Sequence, residues 1–254
     1  IRNQKPNTRN LILIRNNQNL GFAAGNNIGV RAAHGEYVLF LNPDTVVLPG
    51  AIEGVLNFMK AHPRAGAATC QLELANGQLD KVSHRGFPTP WRSFCHFSGL
   101  EKFFPKSKFF AGYSLGHLLN KSKAHQIDSC SGAFMMVPRK VGQKVGWWDE
   151  DYFFYGEDID FCYRIKKLGK KIYFLPQVKI IHYRGVSSGI KKHSQKISKA
   201  NLKTKVRATK ASTEAMRIFY RKHYLKKYPK IIYLFVLIGV WLIEKYRIFK
   251  IKKT

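Results

Sequence analysis

The chain has 254 residues, of which 45% are hydrophobic and 13% aromatic; this is enough for one substantial core and excludes an intrinsically disordered protein. Its formal net charge of +29 is unevenly spread, because residues 190–254 carry 19 Lys and Arg against only two acids, Glu214 and Glu244. This imbalance predicts a milder body followed by a basic tail that suits anionic lipid headgroups, nucleic acid or phosphorylated ligands. Four widely spaced cysteines match no metal or redox motif and favour a reducing compartment.

The first elements in chain order alternate between apolar strands and helices. Residues 11–14 form an apolar run that predicts a buried strand, and a Gly- and Asn-rich turn then leads into a helix ending near His34. A second buried strand at residues 37–41, a helix from Pro49 to Lys60 and a strand at residues 65–74 follow. This alternation predicts an α/β domain with a mostly parallel sheet flanked by helices. Because the chain does not start with Met, we expect it to begin in the middle of a domain.

The second half begins with a loop-rich excursion over residues 86–126 and returns to strand character at residues 127–137. A helix from Pro138 and an amphipathic helix over residues 158–168 come next. Two short strands at residues 171–175 and 178–182 then precede a long basic helix over residues 195–227.

Residues 231–243 form an unbroken apolar run in the basic tail. A helix that spans a bilayer needs roughly 20 apolar residues, so this run is short. It predicts a membrane-associating segment that lies in the interface or spans a thinned bilayer, with a buried soluble helix as the alternative.

The segment from Asn42 to Thr45 follows a buried strand directly. Ligands of open α/β sheets bind at the carboxyl ends of strands, so Asp44 is a candidate ligand of a divalent metal that bridges a nucleotide diphosphate. The structural alternative is a simple turn before the next helix.

Six acids lie within residues 149–160 of this strongly basic chain. Carboxylates stabilise a helix N-terminus, which accounts for one or two of them. The Glu157 and Asp158 pair, with Asp160 nearby, is a candidate general base, since like-charged and aromatic neighbours raise the pKa of a carboxyl group.

Two weaker signals complete the set. His182 ends a strand-like run and is either structural or a metal ligand together with Asp44. The Gly- and Asn-rich turn at residues 19–27 lets backbone approach a ligand closely and precedes a helix N-terminus, which favours phosphate.

The order of these motifs is more specific than any one of them. NLGFAAGNN, LNPDT, SGAFMMVPR, GWWDEDYFFYGEDIDFCYR and IHYRGVSS, in that order, closely resemble glycosyltransferase family 2, in its rhamnosyltransferase-like branch, over roughly residues 10–225. The resemblance implies a GT-A fold, a nucleotide-diphosphate sugar donor and inversion at the anomeric carbon. It also implies that a catalytic domain at residues 1–190 lacks its first strands and is followed by a basic helical tail at residues 191–254.

The resemblance further implies roles for single residues. Asp44 and His182 would hold Mg²⁺ or Mn²⁺, and Asp158 would be the catalytic base, with substrate or base oriented by Glu157 and Asp160. The donor side would be lined by Asn19, Gly21, Gly25, Asn27, Asn42, Thr45, Gly132 and Ala133.

The resemblance thus implies a metal-dependent enzyme that moves a sugar, with rhamnose favoured, from a dTDP- or UDP-sugar to a lipid-linked or cell-surface polysaccharide acceptor. The basic tail predicts a location at the anionic, cytoplasmic face of the cell membrane. The alternative is an inactive, truncated relative that only binds acceptor or membrane. The charge alone suggests nucleic acid, but no recognition motif supports such a partner.

Overall fold

The computed structural model describes residues 11–183 and 201–253, and its centre is a six-stranded sheet. Five strands run in the order β1-β5-β3-β6-β2, and β4 pairs with β6 off this path. The strands are β1 (Tyr37–Leu41), β2 (Thr45–Val47), β3 (Ala65–Leu74), β4 (His125–Ile127), β5 (Phe134–Pro138) and β6 (Lys171–His182).

The sheet is mixed, so the expectation of a mostly parallel sheet is wrong in the described part of the chain. Only β3 and β6 pair in parallel there, whereas β5 runs antiparallel to both β1 and β3, and β2 and β4 run antiparallel to β6. The two predicted strands near the end of the domain are the single strand β6. Its register against β3 jumps from Leu175 to Lys179, and Pro176, which has no N–H to donate, lies in that bulge.

Eight helices accompany the sheet in the described residues, and those predicted from apolar spacing are confirmed. They are α1 (Phe22–Ala32), α2 (Ala51–Ala61), α3 (Pro90–Ser98), α4 (Leu100–Phe103), α5 (Arg139–Val145), α6 (Glu157–Lys167), α7 (Leu202–His223) and α8 (Lys230–Lys253). The excursion over residues 86–126 therefore contains the helices α3 and α4 rather than loop alone.

Both faces of the sheet are covered. Successive side chains of a strand point to opposite faces, so that Ala67 packs with α6 while Ala68 packs with α2. On the first face Phe161 and Ile165 of α6 are fully buried, and on the second Val55 of α2 is fully buried. With helices on both faces of the sheet, the loops that follow the strands meet at one end of it.

The predicted strand at residues 11–14 is not a strand in the structure. Its side chains are exposed, with Leu11 at 72% and Leu13 at 74%. The run pairs with no strand of the described sheet, and without a partner its apolar residues have nothing to be buried against.

The helices α7 and α8 pack on each other and on the body. His223 of α7 hydrogen-bonds to Asp160 of α6 (Nε2 to Oδ1, 2.6 Å), beside an aromatic cluster. Glu244 of α8 accepts hydrogen bonds from Thr213 (2.6 Å) and Arg217 (2.8 Å) of α7. The predicted boundary between residues 190 and 191, and the start of the predicted helix at residues 195–227, lie outside the described residues.

The apolar run at residues 231–243 is part of the longer helix α8. Within the described ranges, no helix is long and apolar enough to cross a membrane. The cysteines Cys70, Cys95, Cys130 and Cys162 are buried and free.

Candidate active site

A cleft of about 1820 Å³ opens between one end of the sheet and the helices α3, α6, α7 and α8. It collects seven of the predicted site residues, which come from four separate stretches of sequence. These are Asn42, Asp44, Gly132, Ala133, Glu157, Asp158 and His182.

At the sheet side of the cleft, His182 lies between two carboxylates. Its Nδ1 is 2.9 Å from Asp80 Oδ2, and its Nε2 is 3.4 Å from Asp44 Oδ1. His182 and Asp80 are buried, whereas the Asp44 side chain is 27% exposed toward the cleft. Burial opposes protonation, but the hydrogen bonds to Asp44 and Asp80 outweigh it and raise the pKa of His182.

Backbone pairing holds this group in place. Thr45 of β2 is in register with His182 of β6, and Tyr183 N–H donates to the Asp44 carbonyl (2.8 Å). The Thr45 hydroxyl donates to the Asn42 carbonyl (2.7 Å), which closes the turn. Thr45 therefore stabilises the turn and does not itself line the cleft.

Asp44 and His182 are the residues predicted to hold a divalent cation. Within residues 11–183 and 201–253, no group of three His, Cys, Asp or Glu side chains surrounds one metal position. Asp44 and His182 fit a two-ligand site: Asp80 can accept the Nδ1 proton of a neutral imidazole, which leaves the Nε2 lone pair of His182 beside Asp44. Mg²⁺ commonly takes few protein ligands and completes its shell with water and substrate phosphate oxygens.

The opposite side of the cleft carries Asp158 at the start of α6. Its Oδ2 forms an ion pair with Arg85 (2.7 Å), and its Oδ1 accepts the Ile159 N–H (2.8 Å). Burial opposes the charge on Arg85, but the Asp158 carboxylate raises the pKa of this guanidinium. Arg85 also donates to the Cys130 carbonyl (3.4 Å), so that it fixes both the carboxylate and the segment before β5.

Glu157 is buried beside Asp158, and its Oε2 has no hydrogen-bond partner in the described structure. Burial, reinforced by the Asp158 charge, raises the pKa of Glu157 to about 8. The turn before it is built from left-handed backbone at Tyr155 (φ 72°) and Gly156 (φ 84°). A Cβ on Gly156 would lie 2.9 Å from the Ala215 Cβ, so glycine is required at this bend.

Gly132 gives the cleft its floor near β5. A Cβ at this position would lie 2.8 Å from the end of the Phe22 ring and 3.2 Å from Trp148. The neighbouring Ala133 carbonyl accepts the Asn42 N–H (3.0 Å), which links this floor to the turn that carries Asp44.

Four of the eight residues predicted on the donor side, from the turn at residues 19–27, do not line the cleft. Asn27 instead joins α1 to the Trp148 backbone (2.9 and 3.1 Å) and to Glu150 (2.7 Å). Asn19 caps Gly21 N–H (2.9 Å), and a Cβ on Gly21 would meet the Phe153 carbonyl at 2.3 Å. The side chains of α1 that do line the cleft, in contrast to Gly25, are Phe22 and Asn26.

Asp160 also lies outside the cleft lining. It is fully buried and binds Arg164 (2.6 Å) and His223 (2.6 Å). Burial acts in the opposite direction, but the His223 hydrogen bond and the Arg164 charge lower the pKa of Asp160. Its observed contacts join α6 to α7, two residues away from the base candidate Asp158.

Comparison with known proteins agrees with this geometry. The family model described as Glycosyl transferase family 2 matches residues 1–146. The chain is 29% identical over 178 residues to the rhamnosyltransferase WbbL of Escherichia coli strain K12, covering 64% of this chain and 61% of that protein. It is also 29% identical over 154 residues to an N-acetylglucosaminyl-diphospho-decaprenol L-rhamnosyltransferase of Mycobacterium tuberculosis, covering 61% and 49%.

Among solved structures, the chain is similar to the mannosyltransferase PcManGT from Pyrobaculum calidifontis in complex with GDP-Man and Mn²⁺. The TM-score is 0.47 at 14% identity, covering 94% of this chain and 69% of that one. The chain spans about half to three fifths of the length of the curated relatives named above.

The helix-covered mixed sheet, with a carboxylate-lined cleft at one end, agrees with the class that the motifs predicted, the GT-A glycosyltransferases. Within that class the chain belongs to glycosyltransferase family 2, because the family model covers more than half of it. The resemblance predicted from the order of the motifs is therefore confirmed, including its similarity to rhamnosyltransferases.

Two charged residues of the site were missed by sequence reasoning. Asp80 and Arg85 flank a short 3₁₀ turn after β3, far in sequence from the partners that they bind. No spacing rule connects Asp80 to His182 or Arg85 to Asp158, since only the folded sheet brings these pairs together.

Proposed function

We propose that this protein is an inverting, metal-dependent glycosyltransferase that moves rhamnose from a dTDP- or UDP-sugar to a lipid-linked or cell-surface polysaccharide acceptor. The observation that carries the proposal is the meeting, in one cleft, of the Asp44 and His182 pair with the Glu157 and Asp158 pair. The names of the relatives, two rhamnosyltransferases of which one uses a diphospho-decaprenol acceptor, support the sugar and the acceptor class.

The donor binds at the sheet side in this proposal. Asp44 and His182 would hold Mg²⁺ or Mn²⁺, which would neutralise charge on the departing diphosphate. Gly132, against which the Phe22 ring packs closely, forms the cleft floor that the sugar ring would approach.

The acceptor hydroxyl reacts at the α6 side. The Asp158 carboxylate removes the proton as the hydroxyl oxygen forms a bond to the anomeric carbon. The bond from that carbon to the phosphate oxygen breaks on the opposite face, and its electron pair leaves with the nucleoside diphosphate. Attack and departure on opposite faces invert the configuration. Arg85 positions the base, and protonated Glu157 donates a hydrogen bond to a substrate hydroxyl.

The location proposed for the enzyme is the anionic, cytoplasmic face of the cell membrane. The outer face of α8 exposes large apolar side chains among lysines, and the α3–α4 region adds exposed aromatic residues. Such a surface suits an amphipathic interface bound to anionic lipid. The exposed apolar residues are Ile231, Leu234, Ile238, Trp241 and Leu242 of α8, with Trp91, Phe94, Phe103 and Phe104.

The proposal is tested by the substitution Asp158→Asn. Transfer from dTDP-rhamnose to a prenyl-diphospho-N-acetylglucosamine acceptor should fall by roughly 10²- to 10⁴-fold, the usual contribution of a general base. Donor affinity, measured by calorimetry with Mn²⁺, should stay at the wild-type value. Asp151→Asn is the matched control, because this acid of the same cluster is exposed and outside the cleft. Undiminished turnover by the Asp158 variant would refute the assignment of the base, and absence of donor binding by wild type would favour a protein that only binds acceptor or membrane.

A further inference from the structure

The cleft extends beyond the acid pair into a second, largely apolar arm. This arm lies between α3 and the α7–α8 hairpin and is bounded by Phe94 and Phe97 on one side. Val236, Val240 and Ile243 of α8 form the facing wall. The catalytic acids and the apolar arm therefore belong to one continuous space, in which a single ligand can occupy both.

The helix α8 presents a regular face to this arm. Its residues that line the cleft lie at positions 232, 235, 236, 239, 240, 243, 246, 247, 250, 251 and 252, and they recur mainly at the spacing of one side of an α-helix. Gly239 opens the wall at its middle, since a Cβ built there meets no atom within 4 Å. The arm thus has room for a chain that runs along the helix.

The same face of α8 carries the cation Arg247, near the C-terminal end of the helix. Arg247 places its guanidinium over the Phe97 ring, 5.9 Å from the centroid, and is half-buried. No carboxylate of the described ranges forms an ion pair with it. Burial lowers the pKa of Arg247, while the Tyr113 hydroxyl opposes this effect. A partly desolvated guanidinium without a carboxylate is stabilised by an anionic ligand.

Tyr113 lines the same cleft as Arg247 and the Arg85–Asp158 ion pair. The same hydroxyl also influences the pKa of Arg85, whose guanidinium is held by Asp158. An anion bound to Arg247 would share this cleft with the acceptor hydroxyl.

We propose that the arm binds the prenyl chain of a prenyl-diphosphate-linked acceptor and that Arg247 contacts its diphosphate. This assignment rests on the proposed function and adds the subsite that recognises the acceptor lipid. An apolar groove beside a cation that has no carboxylate partner in residues 11–183 and 201–253 matches an amphiphile whose charged group precedes the sugar. In the proposed location, the exposed apolar side chains on the outer face of α8 would contact the bilayer from which the lipid enters the arm.

The test is a calorimetric titration of the full chain with farnesyl diphosphate, with inorganic pyrophosphate and farnesol as the two half-ligands. Farnesyl diphosphate should bind at least about tenfold more tightly than either half, because both subsites must be filled. Equal affinity for pyrophosphate would overturn the chain subsite, and equal affinity for farnesol would overturn the role of the cation. Equal affinity for dodecyl phosphate would overturn the prenyl assignment.

Two variants with matched controls locate the site. Arg247→Gln and Gly239→Phe should each weaken farnesyl diphosphate about tenfold, the first by removing the charge and the second by filling the arm. Lys245→Gln and Ile238→Phe make the same changes on the outer face of α8 and should leave affinity unaltered. Equal losses in variants and controls would refute the location.

A donor titration on the same samples separates this proposal from the function on which it rests. Wild type and all four variants should bind dTDP-rhamnose with Mn²⁺ equally well, since no change touches the sheet side. Farnesyl diphosphate binding without donor binding would refute the glycosyltransferase proposal and leave the lipid subsite standing. If the donor binds but neither Arg247→Gln nor Gly239→Phe weakens farnesyl diphosphate, the lipid subsite is refuted and the glycosyltransferase proposal stands.

Discussion

The two sides of the cleft are built in different ways. On the sheet side, Asp44 and His182 are fixed by strand register and by backbone hydrogen bonds, and charged groups are buried in pairs. On the helical side, the arm between α3 and α8 is apolar, and its cation Arg247 has no carboxylate partner in the described structure. The first construction suits a small charged group that must be held in one position, and the second suits a flexible chain. Asp158 and Arg85 lie where the two meet.

The sheet side should respond most strongly to added volume. Gly132→Val would place branched methyl groups against the Phe22 ring and Trp148, and we expect donor affinity and transfer to fall by at least about tenfold. The measurement is calorimetry with dTDP-rhamnose, followed by the transfer assay.

Gly25→Ala is the matched control for that substitution. Gly25 lies inside α1 with no atom within 4 Å of a built Cβ, so alanine should stabilise the helix by about 0.5–1 kcal/mol. Donor affinity should not change. A loss of donor affinity in this variant as large as that in Gly132→Val would restore the predicted nucleotide contact at Gly25 and contradict the cleft described above.

The junction of the two sides should show an unusual pH dependence. The pKa of Glu157 is raised to about 8, above its ordinary value of 4.5, so the stability that it contributes is fully present below pH 4.5 and is lost as the pH rises through 8. Glu157→Gln keeps the neutral form at every pH. The free energy of unfolding of the variant should therefore increase relative to that of wild type as the pH rises from 5 to 8.5. The difference should reach about 1 kcal/mol or more at the upper end.

Thermal unfolding across that pH range measures the difference. Glu53→Gln, an exposed residue of α2, is the control and should run parallel to wild type. A constant offset between Glu157→Gln and wild type at all pH values would show that Glu157 is charged in the folded protein throughout and would remove its role as a hydrogen-bond donor.

The helical side should show the smallest effect. Glu244→Gln weakens the hydrogen bonds from Thr213 and Arg217 that join α8 to α7, and a loss of about 1 kcal/mol is expected. Hydrogen exchange should report faster opening of α8 than of the sheet. Glu214→Gln, which alters a 54% exposed partner of the same arginine, should have little effect. Equal effects of the two substitutions would mean that Glu244 does not hold the hairpin.

The sequence predicted more of the site residues on the sheet side of the cleft than on the helical side, for a physical reason. Asp44 directly follows a strand, and Asp158 begins a helix in an acid-rich segment, so local pattern alone exposes them. Arg247 and Gly239 face the cleft only because α8 lies beside α3 in the fold, which no local period encodes. The residue spacing likewise identified α1, α2 and α6 but not strand direction, because apolar runs look alike in parallel and antiparallel pairs.

The errors have the same origin. Residues 11–14 have the composition of a strand but pair with none in the described sheet, and burial depends on a partner. Asn27 and Asp160 lie in motifs rich in site residues, yet Asn27 bonds to the turn at Trp148 and Asp160 bonds to Arg164 and His223, away from the cleft lining. A motif marks a stretch of chain, whereas the direction of each side chain is fixed by the packing around it.

The most direct test of the account is donor binding by Asp44→Asn, measured by calorimetry with dTDP-rhamnose in Mn²⁺ and again after chelation with EDTA. Wild type should bind only with the metal, and the variant should lose at least about tenfold in affinity with Mn²⁺ present, since one of two protein ligands is weakened. Binding by wild type that is indifferent to EDTA and unaltered in the variant would contradict a metal-held donor on the sheet side of the cleft.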